Sequence, residues 1–313
     1  MNTQQLFENP FSIEDMLVFD DVTMQRMFRM GGFGLTLEDL AASLCGASEQ
    51  LVRRVRRNLP DEQQATLSEL LHQSVTSEAV QSARHRVLDG LFWELTYWKT
   101  PELYEELTEG EQLHPDIFRQ LASDLRGKTV LDIGAGSGRA SFECLCQGAK
   151  LIYAIEPSPG LLHILEQKLA KQPANNRITI QRGSFDSIPL QDDSVDVSLS
   201  CSAFTADPEQ GGEPGLTEMR RVTKRGGKIV LIWPRREDNA WLIAHGFQYV
   251  VLPLQQEMRV RFRSLQSALH CARLFYAHNR AVQRYILQHR KPEVPFSVLE
   301  INPPHDYCWL TVS

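Results

Sequence analysis

The fold of this chain is decided by residues 129–139, TVLDIGAGSGR. This stretch predicts a short apolar strand that ends in a turn with three glycines, followed by a helix from Ser141 onward. Glycines let a backbone pass close to a ligand, and the first N–H groups of a helix are free to bind it. The pattern therefore favours a nucleotide-like ligand at the carboxyl edge of a parallel sheet.

An acidic residue, Asp132, lies at the end of the predicted strand, two positions before the first glycine. The glycines are spaced G-x-G-x-G, which differs from the G-x-G-x-x-G of dinucleotide-binding folds. A carboxylate at this place would repel the phosphates of a dinucleotide, because like charges repel at short range. It suits a ligand that carries a cationic group, such as an α-ammonium.

The strands that follow have a fixed order. Residues 151–156 predict a second strand ending in Glu156, and residues 178–181 a third strand that leads into the loop RGSFDSIPL at 182–190. Further elements are a fourth strand at 193–200, a helix at 217–222, and a glycine turn with a fifth strand at 225–233.

Together with the glycine turn, this order resembles that of class I S-adenosylmethionine-dependent methyltransferases, over residues 121–233. The resemblance implies an α/β fold with a Rossmann-like, mostly parallel seven-stranded sheet flanked by helices. It also implies S-adenosylmethionine as the cofactor of a methyltransferase.

The resemblance also assigns residues to the cofactor. In the family, the acid after the second strand binds both ribose hydroxyls, and Glu156 stands there; one charged acceptor can take two O–H donors. The adenine-binding loop departs from the commonest form, because Ser184 follows the glycine and the nearest acid is Asp186. The cofactor-binding residues implied are Asp132, Gly134, Ala135, Gly136, Gly138, Glu156, Pro157, Ser184, Phe185, Asp186, Ser200 and Cys201.

Neither the catalytic residues nor the methyl acceptor is assigned by a motif. Tyr104 and His114 precede the glycine turn, in a segment that caps the cofactor in many related enzymes, and they are the candidates to face the transferred methyl group. The alternative is a surface tyrosine and a histidine at a helix start. A small-molecule acceptor is favoured, because a net charge of −6 gives no general attraction to nucleic acid. A peptide or protein acceptor, a non-catalytic cofactor-binding scaffold and a flagellar or cytoskeletal interaction protein are the alternatives.

The first third of the chain predicts an all-α domain. Residues 11–27, residues 37–51 and the break RNLP at 57–60 resemble the C-terminal domain of the flagellar rotor switch protein FliG, over about residues 10–88, with extra residues at 31–34. The torque-generating helix of that family carries clustered acids, whereas residues 65–72 contain one. We therefore interpret the region as a helical module for docking, for dimerisation (a possible homodimer) or for substrate delivery.

The predicted domains are a helical FliG-like domain at 1–76, a helical linker or cofactor-capping segment at 77–125, and a methyltransferase domain at 126–313. An insertion at about 264–290, with one long helix from Leu265 to about Leu287, is expected to cover the acceptor pocket. None of the six cysteines has zinc-site spacing, so no metal is predicted. Without a signal peptide at 1–5 or a long apolar run, the expected location is the cytoplasm, away from membranes.

Two further stretches have a plain interpretation. The arginines in VRRVRR, residues 52–57, predict a solvated helix face. The stretch NPPHDY, residues 302–307, is similar to a tetrapeptide of enzymes that methylate amide or exocyclic nitrogens. It lies far from the fourth strand, so it predicts a loop before the last strand.

Overall fold

The structure, a computed structural model, describes residues 9–29, 36–172 and 175–313. Its contacts divide the chain into two compact units, Met1–Tyr104 and Glu105–Ser313. The predicted segment 77–125 is therefore divided, with residues 77–104 in the first unit and 105–125 in the second. Residues 1–5 and 31–34, which the sequence predictions use, lie outside the described residues.

The first unit is helical. Side chains cap several of its helices: Ser48 accepts the N–H of Leu51, and Asp20 accepts the N–H of Thr23. After the break at 57–60, the next helix begins at Asp61. The helices are α1 (Asp21–Arg29), α2 (Leu37–Leu44), α3 (Glu49–Asn58), α4 (Asp61–Leu71), α5 (Ser77–Gly90), α6 (Phe92–Lys99) and the start of α7 (Pro101–Gly110).

The predicted solvated face of α3 is wrong for Arg54. Its guanidinium donates to the backbone carbonyls of Leu17 and Phe19, and to the Asp21 carboxylate at 3.1 Å. Arg57 and Asn58 also donate to Asp21. These donors lower the pKa of Asp21 to about 2, with the Arg57 hydrogen bond as the largest cause.

Replacing Asp21 with asparagine is expected to destabilise the first unit at neutral pH. Because folding lowers the pKa of Asp21, its contribution to stability is present above about pH 4 and is lost as the pH falls towards 2. Denaturant unfolding of the full chain should therefore separate the wild type from Asp21→Asn at pH 7 and bring them together near pH 2. Glu49→Gln is the control, because the Glu49–Arg53 pair is long (3.8 Å) and solvated. An equal loss in both variants would contradict the role given to Asp21.

The second unit is built around a seven-stranded sheet with the order β3-β2-β1-β4-β5-β9-β6. Strands β1 to β5 are parallel, and β9 runs antiparallel between β5 and β6. This confirms the predicted mostly parallel, Rossmann-like sheet. The strands are β1 (Thr129–Ile133), β2 (Leu151–Glu156), β3 (Ile178–Arg182), β4 (Val195–Cys201), β5 (Thr223–Ile232), β6 (Gln248–Val251), β7 (Arg259–Arg261), β8 (Glu293–Pro295) and β9 (Asp306–Thr311).

Helices cover both faces of the sheet, because successive strand residues point to opposite sides and both sides are apolar. Val130 faces one core together with Ile117, Cys144 and Leu165, and Leu131 faces the other. The helices completing the unit are α8 (Asp116–Gln120), α9 (Ala122–Leu125), α10 (Arg139–Cys146), α11 (Pro159–Ala170), α12 (Gly212–Val222), α13 (Asn239–Ala244), α14 (Leu265–Leu274), α15 (Arg280–His289) and α16 (Phe296–Leu299).

The predicted long helix from Leu265 to about Leu287 is wrong, because the chain forms two helices, α14 and α15. The side chain of Asn279 accepts the N–H of Ala281, which starts a new helix at Arg280. The insertion also contains a small sheet of its own, in which β7 pairs antiparallel with β8. We call residues 259–299 the inserted element.

Two smaller predictions also have an outcome. Residues 302–305 form a loop before the last strand, as expected, and β9 begins at Asp306. In the three described ranges, none of the helices combines the length and the apolar character that a bilayer crossing requires.

Candidate functional site

The glycine turn connects β1 to α10 at the carboxyl edge of the sheet. The N–H groups of Gly134 and Ala135 both donate to the carbonyl of Ile155 in β2, at 2.9 and 3.0 Å. Gly134 has φ +70°, and a Cβ added there would lie 2.7 Å from the Cβ of Ala203. A side chain at position 134 would therefore clash with Ala203, just after the end of β4. The helix begins at Arg139, two residues earlier than predicted, because Gly138 at φ +91° forms its N-cap.

Replacing Gly134 with alanine is expected to weaken cofactor binding at least about tenfold, a loss of ~1.4 kcal/mol. The new Cβ would push Ala203 and the end of β4 away from the turn. The matched control is Gly127→Ala, because Gly127 has nearly the same φ (+72°) and nothing within 4 Å of an added Cβ. Both variants should lose about 1–2 kcal/mol of stability from backbone strain. Equal cofactor affinity in the two variants would contradict the close approach.

Asp132 is fully buried at the end of β1. Its Oδ2 accepts a hydrogen bond from the Ser141 hydroxyl at 2.6 Å, and its Oδ1 is buried without a hydrogen-bond partner. Burial raises the pKa of Asp132 to about 6. A buried carboxylate oxygen that lacks a donor can accept one from a bound ligand.

Glu156 joins the second strand to the glycine turn. Its Oε2 accepts the N–H of Gly136 at 2.9 Å, and its Oε1 accepts the N–H of Ser158 at 2.9 Å. The side chain is 5% exposed. Two backbone donors thus fix the carboxylate at the point where β2 ends. Pro157 follows it, and the carbonyl of Pro157 accepts from Arg182 at 3.1 Å.

The loop after β3 contributes an aromatic ring and a polar pair. The Ser184 hydroxyl donates to Asp186, so the two residues that depart from the commonest family pattern are bonded to each other. The Phe185 ring packs edge-on against Phe204 at 5.4 Å, and its Cζ would lie 3.3 Å from a Cβ added at Gly134. Phe185 therefore lies against the glycine turn.

At the end of β4, the hydroxyl of Ser200 is buried without a hydrogen-bond partner, and Cys201 lies beside Arg139. Arg139 Nη2 is 2.8 Å from Ser202 Oγ and 3.7 Å from Cys201 Sγ. The Arg139 guanidinium also lies 5.9 Å from the centre of the Trp233 ring. This contact joins the glycine turn to the ends of β4 and β5. Neither strand end was predicted to contact Arg139.

Two residues next to Arg139 have backbone conformations that non-glycine residues rarely adopt. Ser202 has φ +53° and Trp233 has φ +54°, and each follows a strand of the sheet directly. Such conformations cost about 1–3 kcal/mol each and cluster at functional sites. Both residues keep hydrogen bonds that hold them there: the Ser202 N–H donates to Ile232, and the Trp233 indole donates to Asn302.

The two catalytic candidates, Tyr104 and His114, have structural contacts. Tyr104 belongs to the first unit, where its ring packs edge-on against Tyr97 at 4.8 Å. His114 Nδ1 accepts the backbone N–H of Asp116, the residue that starts α8. The backbone N–H of His114 donates to the carbonyl of Pro304. His114 also lines a cavity of about 550 Å³ near Ser137. His114 thus lies at a helix start, and Tyr104 is half-buried among aromatic rings; the catalytic role of both residues stays a prediction.

The strand ends fit a ligand with an ammonium group, ribose hydroxyls and a planar base. The buried Asp132 Oδ1 and Ser200 Oγ have no hydrogen-bond partner, and the backbone at Gly134 leaves no room for a side chain. In the described ranges, no group of three or more His, Cys, Asp or Glu side chains could hold a metal ion.

Comparisons with known proteins agree with this geometry. The family described as "Methyltransferase domain" matches residues 131–231. An uncharacterized methyltransferase of Geobacillus sp. (strain WCH70) is 33% identical over 167 residues, which are 52% of this chain and 72% of the relative. An uncharacterized methyltransferase-like protein of Schizosaccharomyces pombe is 31% identical over 114 residues, which are 36% of this chain and 41% of the relative. The chain thus spans about two fifths of the second relative's length.

Among solved structures, an S-adenosylmethionine-dependent methyltransferase from Aquifex aeolicus is similar to this chain, with a TM-score of 0.39 and 18% sequence identity. The match covers 49% of this chain and 92% of that one. The match to the Geobacillus relative and to the methyltransferase domain shows the family. This chain belongs to the class I S-adenosylmethionine-dependent methyltransferases, whose sheet it shares.

Proposed function

We propose that this protein transfers a methyl group from S-adenosylmethionine to a small-molecule acceptor. The observation that carries the proposal is the 2.9 Å hydrogen bond from the Gly136 N–H to Glu156. It joins the glycine turn to the acid that ends the neighbouring strand. A ligand that spans these two strand ends meets a narrow backbone turn and a fixed carboxylate.

Each part of the cofactor has a partner in this arrangement. Asp132 would accept its ammonium group, and Glu156 its two ribose hydroxyls. Phe185 and Asp186 would contact the adenine. Bound there, the sulfonium supplies a methyl group that is already reactive, so the protein's own work is to position the acceptor and exclude water.

A small acceptor is favoured because the inserted element packs against the segment that precedes β1. A Cβ added at Gly110 would lie 2.9 Å from the carbonyl oxygen of Arg261, and Arg263 donates to Glu109 at 2.7 Å. Glu111, next in the chain, accepts from Arg139 beside the glycine turn. We expect the methyl acceptor to bind beside this packing, and a site bounded in this way suits a ligand of limited size.

A labelling experiment tests the acceptor class. The protein is incubated with S-adenosylmethionine labelled in the methyl group and with a cell extract separated into dialysable and non-dialysable fractions. We expect label in the dialysable fraction, and much less label with Glu156→Ala. Label in protein alone would contradict the proposal and favour a peptide or protein acceptor, delivered by the helical first unit. Cofactor binding without transfer to either fraction would favour a non-catalytic scaffold.

A further inference from the structure

We propose that Glu111 takes a proton from the methyl acceptor, and that this acceptor is a neutral weak acid with a reacting O–H or S–H group, such as a phenol or a thiol. This inference rests on the proposed function, because it concerns the partner of the same methyl transfer. Glu111 lies outside every motif in the sequence.

The position of Glu111 is fixed by Arg139. Arg139 Nη1 donates to the backbone carbonyl of Glu111 at 2.9 Å, while its Nη2 donates to Ser202 at 2.8 Å. Arg139 is the first residue of α10, and its guanidinium thus connects Glu111 to the end of β4. Ser202 and Trp233, the two strained residues, contact the same guanidinium. Glu111 therefore lies beside the edge of the sheet at which we expect the methyl transfer.

The inserted element holds the Glu111 side chain. The hydroxyl of Tyr276, from the turn between α14 and α15, donates to Glu111 Oε1 at 3.1 Å. Its Oε2 has no hydrogen-bond partner among the described residues, and the residue is 8% exposed. A carboxyl group with one oxygen oriented by a tyrosine and the other without a donor is arranged to accept a hydrogen bond from a ligand.

The charges around Glu111 leave it as the group that exchanges a proton. The titratable groups facing it are Arg139, Tyr276 and Cys271. Burial raises the pKa of Glu111 above its ordinary value. Burial also raises the pKa of Tyr276 well above its ordinary range and that of Cys271 to about 12. The phenol and the thiol therefore keep their protons near neutral pH. A carboxylate made more basic by burial is a better general base at that pH.

Charge also selects the acceptor. The Arg139 guanidinium and the sulfonium of the cofactor are both cations. They stabilise the negative charge that develops on an oxygen or sulfur as its proton passes to Glu111. A nitrogen acceptor gains positive charge on methylation and obtains no such stabilisation.

The proposed step balances in atoms and electrons. The acceptor's O–H or S–H bond breaks, and the proton goes to a carboxylate oxygen of Glu111. The freed electron pair of the acceptor forms the bond to the methyl carbon. The electron pair of the breaking S–CH₃ bond stays on sulfur, so that S-adenosylhomocysteine is the second product. Glu111 then releases its proton to water.

The probe for the test is 4-nitrophenol, whose anion absorbs visible light and whose neutral form does not. It is titrated into protein loaded with S-adenosylhomocysteine at about pH 8, where the free probe is mainly the anion and no methyl is available. The wild type should bind the neutral form through a hydrogen bond to Glu111, with loss of visible absorbance. Glu111→Gln should bind the anion beside Arg139, so the absorbance should remain.

Turnover with S-adenosylmethionine gives a second readout. Glu111→Gln should slow methylation of 4-nitrophenol at least about 100-fold, as for loss of a general base. Glu166→Gln, at an exposed position of α11 where its pair with His163 is long (3.9 Å), is the control and should stay near the wild-type rate. Tyr276→Phe removes a donor that lowers the pKa of Glu111, so the acidic limb of its pH–rate profile should move to higher pH.

Three results would overturn the inference. The first is the same bound form of the probe in the wild type and Glu111→Gln. The second is no binding of 4-nitrophenol at about 1 mM, a very weak affinity. The third is methylation of benzylamine but not of 4-nitrophenol or benzenethiol. If S-adenosylhomocysteine itself fails to bind, the proposed function fails; if it binds and Glu111 has no effect, only this inference fails.

Discussion

Replacing Glu156 with alanine is expected to weaken binding of S-adenosylmethionine roughly 10- to 100-fold, which corresponds to ~1–3 kcal/mol for the lost charge-assisted hydrogen bonds to the ribose. The variant also loses the acceptor for the N–H groups of Gly136 and Ser158, so the turn and the end of β2 are released together. Titration calorimetry measures the change directly.

The control for Glu156→Ala is Glu143→Gln, at an exposed position of α10 in the same unit. It should bind the cofactor as the wild type does. The thermal midpoint of each variant separates a local loss of affinity from general unfolding. An unchanged binding isotherm in a folded Glu156→Ala protein would refute the ribose assignment.

Replacing Asp132 with asparagine is expected to remove a pH dependence from the stability of the ligand-free protein. Folding raises the pKa of Asp132 to about 6 from an ordinary value of 3.8. The folded state therefore holds this proton more tightly than the unfolded state. Stability from this group is highest below about pH 4 and declines as the pH rises through 6, by ~3 kcal/mol at 1.36 kcal/mol for each pKa unit.

Urea unfolding of the wild type and Asp132→Asn between about pH 4 and 8 checks this expectation. The decline should be absent in the variant, whose amide oxygen can still accept from Ser141. The same substitution should weaken S-adenosylmethionine binding, because the ammonium loses a charged partner. In the wild type, affinity should fall about tenfold for each pH unit below 6. Parallel stability curves would contradict the burial of a charged Asp132.

The central part of the sheet was predictable because an acidic residue marks the carboxyl end of both β1 and β2. Asp132 before the glycines and Glu156 after the second apolar run mark strand ends that are neighbours in the sheet. The structure brings these two acids, Phe185 and the end of β4 to one edge. Their roles toward the cofactor stay predictions. Helix caps such as Ser48 are also local features, since a side chain and an N–H three residues further along the chain suffice.

The contacts missed by the sequence are long-range. Arg54 belongs to an arginine-rich run that predicts a solvated face, yet its partners lie more than thirty residues away. The break between α14 and α15 depends on the cap of Asn279, which the apolar periodicity hides. Glu111 contacts Arg139, which is 28 residues away in the sequence, and Tyr276, which is 165 residues away. No local pattern contains them.

The central claim is that the ends of β1 and β2 hold S-adenosylmethionine. Titration calorimetry with S-adenosylmethionine and S-adenosylhomocysteine tests it most directly, with a nicotinamide dinucleotide and an adenine nucleotide as controls. The account predicts that both sulfur compounds bind, that Glu156→Ala weakens both, and that the controls bind far more weakly. Folded protein that binds neither sulfur compound, or that binds the nicotinamide dinucleotide equally well, would contradict it.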